Sequence, residues 1–147
     1  MVIAELQSLL QKDLQQLFKM DYPELSILKQ FLPKKSYSVN EDEEDEKYPF
    51  VVVRLDEGND DEDESFVKVD FVIGYKSREE EQNYESLLSI LEKIRQHYQS
   101  NRFLEHFEMD KKLSWRMQDK EDYYPYFYGY ISTVWNIPSV IEGDELI

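Results

Sequence analysis

The sequence contains no cysteine. That excludes disulfides, thiolate metal sites and cysteine nucleophiles together. Glycine is scarce: Gly58, Gly74, Gly129 and Gly143 stand far apart, so no phosphate-cradling loop of the G-x-x-x-x-G-K-[ST] type exists. No G-x-S-x-G elbow occurs either. Basic residues are outnumbered, 17 against 32 acidic, leaving a formal charge of -15. Phosphate backbones and anionic membrane surfaces repel such a chain, which argues against sequence-specific nucleic-acid binding and membrane association. No apolar run approaches the roughly 20 residues of a membrane span, and the start, Met1-Val2-Ile3-Ala4-Glu5-Leu6, has no basic stretch leading into an apolar one. A soluble protein is expected, with basic partner surfaces as its natural complement.

What the sequence has is aromatic and patterned. Its 147 residues favour one domain with one core. Aromatics reach 14%, a level that favours sheet surfaces and interfaces over a plain helical bundle. Ile3, Leu6, Leu10, Leu14 and Leu17 recur at helical spacing, and Pro23 sets the limit of that helix. Residues 24–39 read as either a short helix or an extended piece. Residues 40–47 and 56–64 are acidic runs that cannot bury anything and read as solvated loops.

Between those runs, Phe50 to Leu55 is an unbroken apolar strand apart from Arg54, suited to burial on both faces. Val67, Val69, Phe71, Ile73 and Tyr75 alternate as a second strand. The two are expected to pair as a hairpin with a long acidic tip. Ser77-Arg78-Glu79-Glu80 is a capping box opening a helix whose stripe is Tyr84, Leu87, Leu88, Leu91, Ile94 and Tyr98. After a short segment, Phe103 to Phe107, a third strand alternates at Leu113, Trp115 and Met117. A polar turn over 119–122 follows. The fourth strand places Phe127, Ile131, Thr133, Trp135 and Ile137 on one face and Tyr126, Tyr128, Tyr130, Ser132 and Val134 on the other; Pro138 ends it, and the tail 140–147 is expected to fray. The expected fold is α+β, a mostly antiparallel sheet of four to five strands flanked by an N-terminal and a central helix.

The chemistry is sparse. His97 and His106 match no metal-binding spacing and read as surface or helix-terminal residues. The run 56–64 lacks the order of a calcium-binding loop, because Gly58 directly follows Asp56-Glu57. No catalytic set, cofactor site or metal site is expected. The informative feature is the tyrosine face. Tyr126, Tyr128 and Tyr130, preceded by Tyr123 and Tyr124, sit opposite a face already suited to the core. Either helices cover both faces, or the tyrosines form a protein interface, where this residue pairs apolar area with a hydroxyl. Arg54 and Arg116 join the candidate interface, or balance nearby acids.

The string Tyr48-Pro49-Phe50-Val51-Val52-Val53-Arg54, then Gly58 and Asp60, Ile73-Gly74-Tyr75, the helix Leu87 to Tyr98, Leu113-Ser114-Trp115, Tyr124-Pro125-Tyr126-Phe127-Tyr128-Gly129 and Trp135-Asn136-Ile137-Pro138 together resemble the small tail-completion (tail terminator) proteins of tailed phages and prophages of Gram-positive bacteria. The resemblance covers about residues 48–138. It implies a structural protein that caps the tail tube as a ring, typically of about six copies, and faces the head connector or neck protein. It implies no catalytic residue. Arg54, Trp115, Tyr124, Pro125, Gly129 and Trp135 fall at recurrent positions, for fold or ring packing. The acidic runs and the region before residue 48 depart from the pattern. On this reading the protein works in the host bacterial cytoplasm during assembly and then in the virion tail. The acidic run Asp56, Glu57, Asp60, Asp61, Glu62, Asp63 and Glu64 would line a phosphate-repelling lumen or face a basic neighbour. Two other classes remain: an acidic DNA-mimic or other protein-binding inhibitor, and an enzyme of unknown type.

Overall fold

The computed structural model describes residues 2–32, 47–76, 80–118 and 125–138, without the side chains of residues 80–84. The acidic run 41–46, Ser77 of the capping box, Tyr84 as a stripe residue, the turn 119–122, Tyr123, Tyr124 and the tail 140–147 lie outside the described residues.

Helix α1 spans Val2–Phe18 and holds neither glycine nor proline. Leu6, Leu10, Leu14 and Phe18 form its buried stripe, each contributing roughly 1.5–3 kcal/mol by leaving water. Phe18 takes the place expected of Leu17, because a strict four-residue step keeps the stripe on one side of the helix. The chain leaves the helix with Tyr22 donating its N–H to the Phe18 carbonyl at 2.9 Å, just before Pro23.

Among the described residues seven strands form one sheet: β1 (Ser26–Lys29), β2 (Phe50–Asp60), β3 (Ser65–Lys76), β4 (Phe103–Leu104), β5 (Phe107–Met109), β6 (Ser114–Met117) and β7 (Tyr126–Ile137). Helix α2, Glu80–Ser100, lies between β3 and β4 in sequence. The fold is α+β, as the element order implied. The sheet is larger than the expected four to five strands and is mixed. Its order is β1-β2-β3-β7-β5-β4, with β6 also on β7. The ambiguous segment after α1 supplies β1, which pairs parallel to β2 with Ile27 beside Val51 and Leu28 beside Val52. All other pairings are antiparallel.

The β2–β3 hairpin forms as expected, but residues 56–64 are not a loop. β2 runs on to Asp60, with a bulge at Asp56, and Asp60 pairs Ser65. Only residues 61–64 turn, closed by a bond from Asp61 N–H to the Glu64 carbonyl at 2.7 Å. The partner strand explains the difference. β3 is pinned on its far side by β7 along its full length, so its ladder groups recruit the acidic residues opposite.

Both described helices pack on one face of the sheet. There the core gathers Val51, Val53, Val69, Phe71, Ile73, Ile131 and Trp135 against α1 and α2. The buried stripe of α2 is Leu87, Ile90, Leu91, Ile94 and Tyr98, with the expected Leu88 only half-buried. Gly129 lies under this helix; a Cβ there would come 3.2 Å from Leu91 Cδ1. Tyr98 stacks on Phe71 at 5.4 Å and meets Trp135 edge-on at 5.7 Å. The buried Trp135 indole donates to Thr133 Oγ1 at 3.0 Å, which donates in turn to the Val69 carbonyl at 2.7 Å.

The seam between helices is polar and evenly spaced. Ser89, Lys93 and His97 step four residues at a time along α2 and meet Tyr22, Asp21 and Asp13 respectively. The Tyr22–Ser89 and His97–Asp13 bonds are each 2.9 Å. Burial acts to raise the Asp13 carboxyl, but the hydrogen bond and charge of His97 outweigh it and hold it below its usual 3.8. Burial pushes the neighbouring Tyr98 phenol well above its ordinary value, and the Asp13 charge adds to that.

Candidate functional site

The opposite face of the sheet carries no helix among the described residues. Strand register lays its side chains in cross-strand rows. Lys76 stands beside Tyr126; Phe50, Gly74 and Tyr128 form the next row; then Val52, Val72, Tyr130 and Arg116; then Arg54, Asp70, Ser132 and Ser114. All five expected interface residues, Tyr126, Tyr128, Tyr130, Arg54 and Arg116, therefore fall on this one face. Three strands separated in sequence bring them together.

The rows grade from apolar to charged. Phe50, Val52 and Val72 are buried as a small second core, with Leu28, Tyr48, Tyr128 and Tyr130 packed against it. The Phe50 ring covers Gly74 so closely that a Cβ there would stand 2.3 Å from the ring. Tyr48 and Tyr128 share a hydroxyl–hydroxyl bond of 2.8 Å. Tyr48 also contacts Tyr126, at 5.1 Å between ring centroids. Lys76 Nζ lies 5.7 Å from the Tyr126 ring and the Arg116 guanidinium 4.5 Å from the Tyr130 ring, both within cation–π reach. Arg54 pairs with Asp70 across the ladder at 3.7 Å.

Thus the tyrosines do two jobs. Their inner edges close a small core that no helix covers among the described residues, and each remains partly exposed. Arg54 does balance an acid; Arg116, which is exposed, stacks on an aromatic ring instead. Sequence alternation found the tyrosine row. It did not find Tyr48, Phe50 or Gly74 as its support, because these reach the row only through strand pairing.

At one end of this face the acidic hairpin projects. Asp56, Glu57, Asp60, Asp61, Glu62, Asp63 and Glu64 are all exposed. Glu57 is bound by Lys68 at 2.7 Å; that hydrogen bond holds the Glu57 carboxyl below its ordinary value and raises the lysine. A groove of about 290 Å³ lies at the hairpin's base between Asp56, Lys68, Asp70, Asp110 and Lys112.

The histidines lie elsewhere. His97 braces the two helices through Asp13. His106 lies with Glu5 and Glu105, their ligand atoms within 4.8 Å of one another, all exposed. Such groupings are common on acidic surfaces without an ion.

No protein-family model matches the chain, and no curated protein matches it.

Proposed function

We propose that this chain is a non-enzymatic structural protein that completes a phage or prophage tail, closing as a ring of about six copies on the end of the tail tube and joining it to the head connector. The observation that carries this reading is the convergence of Tyr126, Tyr128, Tyr130, Arg54 and Arg116 on one sheet face that carries no helix among the described residues. Half-buried tyrosines and a stacked arginine are the side chains that bind protein partners most strongly per residue. The acidic hairpin supports it from a second side. Its exposed carboxylates, carried on the end of β2 and on the turn 61–64, would keep a lumen from gripping DNA or would face a basic neighbour. On this reading the protein acts in the bacterial cytoplasm during assembly and then resides in the virion tail.

The test is the mass and location of the protein with tail tubes added. Rings on tube ends, lost on replacing Tyr130 and Arg116 with alanine, are expected. Failure to bind tubes at any concentration removes the reading. Neutralising the carboxylates of 56–64 with no change in capping or DNA passage removes the hairpin's part in it. The same hairpin favours a second reading, an acidic DNA mimic, because it gathers seven exposed carboxylates within residues 56–64. Tight binding of the isolated chain to a nuclease or repressor, without tube binding, is the outcome that selects it.

A further inference from the structure

Among the described residues the sheet has three open edges, at β1, at the two-residue strand β4 and at β6, and they are treated differently. At the β1 edge, the outward Ile27 carbonyl accepts Gln11 Nε2 of α1 at 2.9 Å, and the Lys29 carbonyl accepts the Phe31 N–H in a tight turn at 2.8 Å. That edge is blunted, as natural sheets require. At the β6 edge nothing comparable occurs. Gln118 donates its N–H to the Tyr128 carbonyl at 3.0 Å, which fixes the phase of the ladder: residues 114, 116 and 118 face β7, and residues 115 and 117 direct their N–H and C=O groups outward. Among the described residues those outward groups have no hydrogen-bond partner. The apolar layer also runs to this rim. Leu113 and Met117 pack against the main core, and Trp115 between them is 51% exposed.

We infer that a second copy of this chain pairs on the β6 edge, antiparallel, about a two-fold axis through Trp115. The occupant follows from the pattern. Leu113-Ser114-Trp115-Arg116-Met117 is close to palindromic in character. Centred on Trp115, it sets Leu113 against Met117 of the second copy, Trp115 against its counterpart, and Ser114 against Arg116. Each contact is like with like or polar with polar, and the Trp115 residues exchange both backbone bonds. Centring one residue on would set Arg116 against Arg116, a like-charge pair that destabilises a sheet. The contact is isologous. Among the described residues each chain has one such four-residue edge, since β1 is blunted and β4 is only two residues long, so growth stops at two copies. It differs in symmetry from the head-to-tail contacts a ring uses, with Arg116 at the border of both surfaces, and it does not depend on the ring reading.

Sedimentation from micromolar to millimolar concentration tests it. The expected result is a monomer–dimer equilibrium that Trp115→Asp weakens at least about 30-fold, the loss of a central aromatic anchor, with the circular dichroism spectrum unchanged. Register is read by disulfides, since the native chain has no cysteine. Ser114→Cys mixed with Arg116→Cys should oxidise to a crosslinked dimer, because side chains approach closest in such non-hydrogen-bonded pairs. A wild-type monomer at millimolar concentration overturns the proposal, as does a Trp115→Asp variant that associates like the wild type or an Arg116→Cys chain that crosslinks mainly to itself. A higher oligomer indifferent to Trp115→Asp overturns the edge pairing and leaves the ring reading standing; loss of tube capping with the dimer intact does the reverse.

Discussion

The Gln30 carboxamide pairs with both backbone groups of Leu55, accepting its N–H at 3.0 Å and donating to its carbonyl at 3.0 Å. Gln30 sits at φ 67°, where its backbone has turned out of β1. Its side chain thus continues the ladder that its backbone abandons. Gln7 of α1 locks the arrangement, donating to Gln30 Oε1 at 3.0 Å and the Val53 carbonyl at 2.9 Å. Gln30→Ala strands two backbone groups and should cost about 1–3 kcal/mol. The check is a lower denaturant midpoint with an unchanged slope; an unaltered midpoint would mean water replaces the amide without loss.

Gly74→Ala tests the second core. Its Cβ collides with the Phe50 ring, so the variant should lose about 1–3 kcal/mol. The same change in a Phe50→Leu background should cost less than in the wild type, since the ring is the obstacle. A double-mutant cycle by thermal unfolding reads the coupling, and strict additivity would show that the ring moves aside freely.

Asp13 predicts an acid-labile helix seam. Its folded carboxyl lies below the usual 3.8, so its contribution to stability is fully present above that value and is lost as pH falls through the lower folded value. Asp13→Asn should therefore destabilise at neutral pH, by about 1–2 kcal/mol, and the gap from wild type should close as pH falls through the lowered folded value. A gap independent of pH would assign the loss to packing alone.

Arg116→Ala should separate stability from binding. Its guanidinium is exposed over Tyr130, a contact worth about 0.5–1 kcal/mol. The melting temperature should move little, and tube capping should fall sharply. A large melting shift would make Arg116 a structural residue instead.

Periodicity made the two helices, the β2–β3 hairpin and the two faces of β7 legible in the sequence. Where it failed, local pattern and tertiary partner disagreed. Ser26–Lys29 is too short to show a period, and β2 recruits it as a strand through parallel pairing. Asp56–Asp60 carries residues that strands disfavour, and the ladder of β3 holds it extended regardless. The tyrosine row was visible as alternation, and its union with Arg54 and Arg116 needed strand order. Least legible was the polar seam: Ser89, Lys93 and His97 look like ordinary solvated positions until α1 lies beside them.

The position of β7 has a consequence for how the chain is made. It follows every other described strand in sequence yet lies inside the sheet, joining β3 to β5 and β6. Until it leaves the ribosome, the β2–β3 hairpin has a bare edge and Val69, Phe71 and Ile73 lack half their cover. Closing that gap requires contacts far apart in sequence, which are slow to form. During synthesis this long unsatisfied edge is the segment most exposed to aggregation, and the carboxylates at its tip oppose edge-to-edge pairing of two such hairpins by mutual repulsion.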